Sequence, residues 1–218
     1  MKRFVKQTLS ALAATLVFPA VCLFQMQAAI SGADRVFANW SQLFSLLPGL
    51  TGVYLRHAFF RRTMKGCGPD ACISFGTLFS HPGVSLGRTV YIGNYCSIGD
   101  VTIEDDVLIA SHVSIMNGCR QHGTERLDIP VREQTGHCEP VTIGCDSWIG
   151  ERATVAANIG RHCIIGAGAL VLSPVPDYCI AVGVPARIIR DRRQPQTADR
   201  IEASLDQVEV AMANLRQG

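Results

Sequence analysis

The sequence predicts an all-β core built as a parallel β-helix, preceded by an apolar helical region and followed by one C-terminal helix. Three observations predict it. Over residues 84–115 an aliphatic residue recurs every six positions: Leu86, Ile92 and Ile98, each followed by glycine, then Ile103, Ile109 and Ile115 after one short step. The pattern returns over 141–171 with Ile143-Gly144, Ile149-Gly150, Ile165-Gly166 and Val171. Between the two runs lies a long polar interruption, 116–140. A fixed hexapeptide period reads as a parallel β-helix.

Packing explains the period. Two places before each aliphatic sits a second apolar residue: Val84, Val90, Cys96, Val101, Val107 and Val113. Residues two apart point to the same side of a strand, so each six residues supply one inward pair and a turn. Glycine or a small polar residue is expected at the corner, where a bulky side chain crowds the turn. A single coil cannot bury its inner face alone, whereas stacked coils share a continuous core.

The chain divides at the repeat boundaries: a helical region over 1–65, the β-helix over 66–190, and a C-terminal segment over 191–218. Residues 9–30 are apolar apart from scattered Ser, Thr and Gln. As a helix they reach about 33 Å, enough for one membrane crossing. Lys2, Arg3 and Lys6 precede them, and Arg56, His57, Arg61, Arg62 and Lys65 close a second apolar stretch that begins near Leu43. Basic flanks at both ends favour the cytoplasmic side. A membrane-associated helical hairpin is expected, dipping into the inner leaflet or crossing twice, with Trp40, Tyr54, Phe59 and Phe60 near the interface; the alternative is a buried helical pair that packs on the β-helix. In 197–216 the residues Ile201, Leu205, Val208, Met212 and Leu215 follow the 4-3-4-3 spacing of a coiled-coil seam or of one apolar helical stripe, lying on its own subunit or bundling with neighbours.

Composition narrows the function. A formal net charge of +2 gives no electrostatic reason for a nucleic-acid partner. Nine cysteines occur without a CxxC pair, and Cys96 and Cys163 fall at inward repeat positions, where cysteine acts as a small apolar residue. Free thiols in a reducing cytosol are expected. Six histidines are too sparsely spaced for a three-histidine zinc site; no metal is expected.

Three segments carry a resemblance: VTIGCDSWIGERATV over 141–155, IIGAGALVL over 164–172 and VGVPARIIR over 182–190. Together with the repeat they resemble the hexapeptide-repeat acyltransferases of the galactoside, maltose and polysaccharide O-acetyltransferase group. The resemblance covers roughly 78–190. It implies a left-handed coil, a homotrimer, and acetyl-CoA bound in a groove between neighbouring subunits. By the resemblance Trp148 stands beside the active-site loop, Ala167 lies where the pantetheine arm runs close to backbone, and Arg187 and Arg190 lie near the nucleotide phosphates. Glu151 and the Leu172-Ser173 pair depart from the family pattern. The family's sugar-binding asparagine has no clear counterpart over 94–100.

Transfer of an acetyl group to a hydroxyl needs a base for that hydroxyl, and histidine is suited to it near neutral pH. Loops as long as 116–140 are usually functional. The resemblance puts the catalytic histidine in this loop, which makes His122 the expected general base and His137 its rival. In the sugar acetyltransferases the histidine sits about two residues nearer the preceding coil, where this chain has Arg120. Glu125 and Asp128 are candidate orienting carboxylates. His112 and His162 read as solvated corners. The expected function is acetyl-CoA-dependent O-acetylation of a saccharide, with a lipid-linked polysaccharide intermediate at the bacterial inner membrane as acceptor and the catalytic domain facing the cytoplasm. The alternatives are acyl transfer to another small-molecule amine or hydroxyl, of xenobiotic or amino-acid type, and a non-catalytic scaffold.

Overall fold

The computed structural model describes residues 2–119 and 121–194. The helix expected over 197–216 lies outside the described residues, as does Arg120. The core is a prism of stacked coils with three parallel faces. Face I carries Gly66–Cys67, Ser85–Leu86, Val101–Ile103 and Val141–Ile143, continued by bridges from Ile143 to Ile159 and on to Val175. Face II carries Cys72–Ile73, Tyr91–Ile92, Leu108–Ile109, Trp148–Ile149, Ile164–Ile165 and Cys179–Val182, and ends on the antiparallel strand Arg187–Asp191. Face III carries Leu78–Phe79, Ser97–Ile98, Ser114–Ile115, Thr154–Val155 and Leu170–Val171. The chain visits faces I, II and III in turn, so each hexapeptide builds one side of a coil.

The inward pairs are buried as the period requires. Ile92, Ile109, Ile149 and Ile165 are fully enclosed, as are Val90, Val107 and Cys163 two places before three of them. Ser147 takes an inward place that other coils give to Val or Cys. Its hydroxyl donates to the Gly160 carbonyl at 2.9 Å and accepts the Cys163 N–H at 3.0 Å, so the buried polar group is satisfied.

The corners differ from expectation. Among the described residues eight non-glycine residues have positive φ, including Tyr95, His112, Arg152, His162 and Tyr178. Four of the eight carry rings that stack on the next coil. His112 stacks on Tyr95 with ring centroids 5.4 Å apart, and His162 on Tyr178 at 4.9 Å. His162 also pairs through Nδ1 with Asp146 at 2.8 Å. These rings are therefore ordered members of corner columns and not simply solvated.

Three helices precede the prism: α1 (Lys2–Ser31), α2 (Ala33–Ser45) and α3 (Gly49–Thr63). The hairpin thus has one long arm and a return arm broken by Pro48. Pro19 sits within α1 without ending it. Among the described residues one helix, α1, is long and apolar enough to cross a membrane. Phe59 and Phe60, expected at a membrane interface, are instead fully buried, packed with Phe24, Phe37, Phe44 and Phe79. Arg56, expected among the flanking charges, is also buried.

α2 and α3 cover the open edge of the first coil, an edge that would otherwise leave backbone groups unpaired. The Ser41 hydroxyl accepts the Phe79 N–H at 2.8 Å. The Ser45 carbonyl accepts the Gly76 N–H at 2.9 Å. Arg56 Nε donates to the Ile73 carbonyl at 2.9 Å, and its Nη1 to the Leu47 carbonyl. Burial pushes the Arg56 guanidinium below its ordinary range, but it keeps these carbonyl partners.

Candidate active site

The loop 116–140 leaves the end of a face III strand, Ser114–Ile115, and returns to a face I strand, Val141–Ile143. It interrupts the chain without disturbing the stack. Val101 still pairs with Val141 and Ser114 with Thr154, as if the inserted residues were absent. The loop therefore projects from the edge between faces III and I.

Its root is held from both sides. The Asn117 carbonyl accepts the Glu139 N–H at 3.1 Å, joining the outgoing and returning limbs. The Asn117 side chain is buried, and its Oδ1 accepts the Asp100 N–H. Its Nδ2 lies 3.2 Å from His81 Nε2, and His81 Nδ1 lies 3.4 Å from Asp34 Oδ1 on α2. A polar chain thus runs from the helical cap to the loop root. Gly99 must lack a Cβ here, because one would collide with Asn117 Oδ1.

Further out, Gln134 brackets the turn by accepting the Arg126 N–H at 3.0 Å and donating to the Arg126 carbonyl at 2.7 Å. His122, Glu125, Arg126, Glu133, Gln134 and His137 line a cavity of about 500 Å³. Both imidazoles are exposed. Among the described residues neither ring has a hydrogen-bond partner, so both can meet a ligand. Asp128, expected as an orienting group, pairs instead with Arg126, whose guanidinium holds the Asp128 carboxyl below its usual range. Glu125 remains on the His122 cavity.

The other expected residues lie elsewhere on the prism. Trp148 is half exposed on face II, in register with Leu108 on one side and Ile164 on the other. Ile164 pairs with Ile180, and Ile180 with Arg190. Trp148 and Arg190 therefore stand in one column, three strand spacings or about 14 Å apart. Arg190 is part-buried, and among the described residues its Nε has no partner. Arg187 is exposed on the same terminal strand. Ala167 lies exposed at the corner between faces II and III, beside Gly168, whose φ is +67°. Gly150 one coil away has no room for a Cβ against the Ala167 amide.

The prism is triangular, so the edge between faces III and I lies opposite face II. One protomer therefore puts the loop imidazoles on one side and the Trp148–Arg190 column on another. The cavity on the loop and the one beneath it are lined by none of Trp148, Ala167, Arg187 and Arg190.

Sequence reasoning did not anticipate the Asp34–His81–Asn117 chain. The signal available was Asn117 at the start of the loop, one turn beyond the last inward aliphatic. A second missed feature is a cavity of about 290 Å³ under the loop, where Cys119 and Glu139 meet Ala156, Asn158 and Leu172.

A stacked hexapeptide prism interrupted by a long loop at one edge defines the hexapeptide-repeat class of parallel β-helix. The chain belongs to the hexapeptide-repeat acetyltransferases, the family that includes galactoside O-acetyltransferase. It is 31% identical over 143 residues to the galactoside O-acetyltransferase of Escherichia coli K12, covering 62% of this chain and 68% of that protein. It is 34% identical over 124 residues to an E. coli K12 protein assigned as a lipopolysaccharide-biosynthesis O-acetyltransferase, covering 53% of this chain and 61% of the relative. The solved galactoside acetyltransferase in complex with coenzyme A shares the fold, with a TM-score of 0.63 at 23% identity over 73% of this chain and 81% of that one. The chain spans between 36% and 68% of the length of the first curated relatives it matches. No family model matches the chain.

Proposed function

We propose that the protein transfers an acetyl group from acetyl-CoA to a saccharide hydroxyl, with His122 as general base and a lipid-linked polysaccharide intermediate as acceptor. The exposed, unpartnered imidazole of His122 on a cavity at the prism edge carries this reading. The imidazole accepts the hydroxyl proton as the oxygen attacks the thioester carbonyl, and returns it to the departing thiolate. Acetyl-CoA supplies the thioester. The relatives named above act on galactosides or are assigned to lipopolysaccharide biosynthesis, which supports a saccharide acceptor.

The site is composite in this reading. The loop edge and face II lie on opposite sides of one prism, so a neighbouring copy must bring its Trp148, Ala167, Arg187 and Arg190 to the His122 loop. That requirement supports a closed homotrimer, in which every copy gives one edge and receives one face. Arg187 and Arg190 pair with phosphates, and the small corner at Ala167 admits a close-running pantetheine arm. The apolar α1 and the basic residues around it support association with the cytoplasmic face of the bacterial inner membrane.

The deciding experiment uses two inactive variants, His122→Ala and Arg190→Glu. Each alone loses transfer of labelled acetyl from acetyl-CoA into a membrane lipid extract. Mixed after dissociation and reassembly they regain part of it, because some edges then pair an intact loop with an intact face. No recovery in a mixed oligomer would reject the composite site, and full activity of His122→Ala would reject the base.

A further inference from the structure

The long helix α1 combines three features that the prism does not need. Its outward face is largely apolar, with Phe4, Leu12, Leu16, Phe18, Met26 and Ile30 exposed and Thr8 and Thr15 among them. Its inward stripe, Ala13, Val17, Val21 and Phe24, is buried on α2 and α3. Both of its ends are tied to the same coil. Near the start, Lys6 Nζ lies 2.6 Å from Asp70 Oδ1. Just past the end, beyond Gly32, Asp34 contacts His81. Asp70 and His81 belong to the first coil of the prism.

A helix fastened at both ends to one coil lies across the prism, not along its axis. The apolar stretch 4–31 of α1 covers 28 residues, about 42 Å at the helical rise. For α1 to cross a bilayer, α2 and α3 would have to travel with it. They have 13 and 15 residues, short of the roughly 17 needed to span. They also carry Asp34, Arg35, His57, Arg61 and Arg62.

Charge sits beside the apolar face. Arg61 and Arg62 are exposed at the end of α3, and with His57 they line a crevice of about 440 Å³ against Ser10 and Ala14 of α1. On the other flank, Leu9, Leu12, Leu16, Leu50, Tyr54 and Leu55 form an apolar groove of about 140 Å³ between α1 and α3. A cationic crevice beside an acyl-sized groove, along an in-plane apolar helix, matches an anionic phospholipid leaflet.

We propose that the three-helix cap is a monotopic anchor: α1 lies flat in one leaflet of an anionic phospholipid membrane, Arg61 and Arg62 meet lipid phosphates, and the prism stands away from the surface. This inference rests on the membrane association proposed above and fixes its geometry. In-plane immersion places the first coil nearest the lipid. The loop edge then runs up the side of the prism, within reach of a headgroup-borne saccharide.

The test measures depth along α1. Single tryptophans are placed at Leu9, Leu16, Leu23 and Ile30 of the full chain carrying Trp40→Phe and Trp148→Phe. Each is titrated with vesicles of phosphatidylcholine and phosphatidylglycerol whose acyl chains bear bromine at shallow or deep positions. A flat helix gives strong shallow and weak deep quenching at all four sites. A spanning helix, rising about 1.5 Å per residue, gives the strongest deep quenching at Leu16 or Leu23 and little at Leu9 and Ile30, which would overturn the proposal while leaving membrane association intact. No vesicle flotation by the parent chain would overturn the association itself. Tryptophans shielded from aqueous acrylamide without lipid would assign the face to a second copy and also overturn the proposal. In the same assay Arg61→Gln with Arg62→Gln is expected to weaken binding to the anionic vesicles about thirtyfold, a factor of about five per cation. An unchanged affinity would remove the phosphate contact.

Discussion

His122 and His137 share one cavity, yet they differ in where the loop holds them. His122 follows the anchored root at Asn117 and Gly118, whereas His137 precedes the returning limb. His122→Ala is expected to lower kcat by about a hundredfold to ten-thousandfold, the range for a lost general base, with the KM for acetyl-CoA little changed. His137→Ala is expected to stay within a few-fold of the parent. Steady-state kinetics on both variants checks the assignment, and the reverse order would move the base to His137. The loop root offers a second test at the same scale. Gly99→Ala introduces a Cβ where Asn117 Oδ1 sits, so it displaces the amide that accepts the Asp100 N–H. Leaving that N–H unpaired costs about 1–3 kcal/mol. Gly99→Ala and Asn117→Ala are therefore expected to lose similar stability in thermal unfolding and to reduce kcat together. Loss of stability by one alone would break the link between them.

At the scale of elements, the strands are too short to be stable singly and depend on the inward ladder. Ile149 is enclosed between Ile109 and Ile165, its partners on either side. Ile149→Ala is expected to cost about 2–5 kcal/mol, as for other large-to-small core changes, measured by chemical unfolding; the outward Tyr91→Ala on the same face is expected to cost far less. The same ladder explains what could be read in the sequence. Inward positions repeat every six residues, so Ile92, Ile109 and Ile149 announced themselves, and the loop was visible as the place where the period fails. Corners were less legible. Tyr95, His112 and Tyr178 take left-handed backbone and their rings stack between coils, a contact that no hexapeptide window contains. The cap was legible as apolar helix, with packing on the β-helix only as the alternative to a membrane hairpin. Phe59 and Phe60 look alike in a membrane interface and in a core, and only the packing of Phe59 on Phe44 and of Phe60 on Phe79 decides. The place of His122 in the projecting loop was legible. Its surroundings were not, since His81 and Asn117 meet across 36 positions of chain and Asp128 is taken by its neighbour Arg126.

The whole molecule is a prism closed at one end by helices, and the joint between them holds two unusual side chains. Arg56 is fully buried and donates to carbonyls of both parts, Ile73 in the first coil and Leu47 before α3. Arg56→Met keeps much of the volume but leaves those carbonyls unpaired, at about 1–3 kcal/mol each. It removes a desolvated charge at the same time, so a net loss of about 2–4 kcal/mol is expected, read as a lower melting temperature. An unchanged melting temperature would mean that the desolvation penalty cancels the hydrogen bonds.

His57, one residue on, adds a pH dependence to the same joint. Its Nε2 lies 2.9 Å from the Gly68 carbonyl, and burial, aided by nearby Arg61 and Lys6, pushes its pKa below the ordinary 6.5. Above that ordinary value the ring is neutral in folded and unfolded chains alike, and it imposes no penalty. As pH falls below about 6.5, the unfolded chain binds the proton more readily than the folded one, so stability declines until the folded ring also titrates. The parent is therefore expected to lose melting temperature between about pH 7 and pH 5 more steeply than His57→Gln, which can keep a donor to Gly68 without titrating. Parallel slopes for the two proteins would show that the ring is as easily protonated in the folded joint as in the open chain. A steeper parent slope, together with loss of vesicle binding over the same range, would mean that the joint itself, and not the prism, is the first part of the molecule to yield to acid.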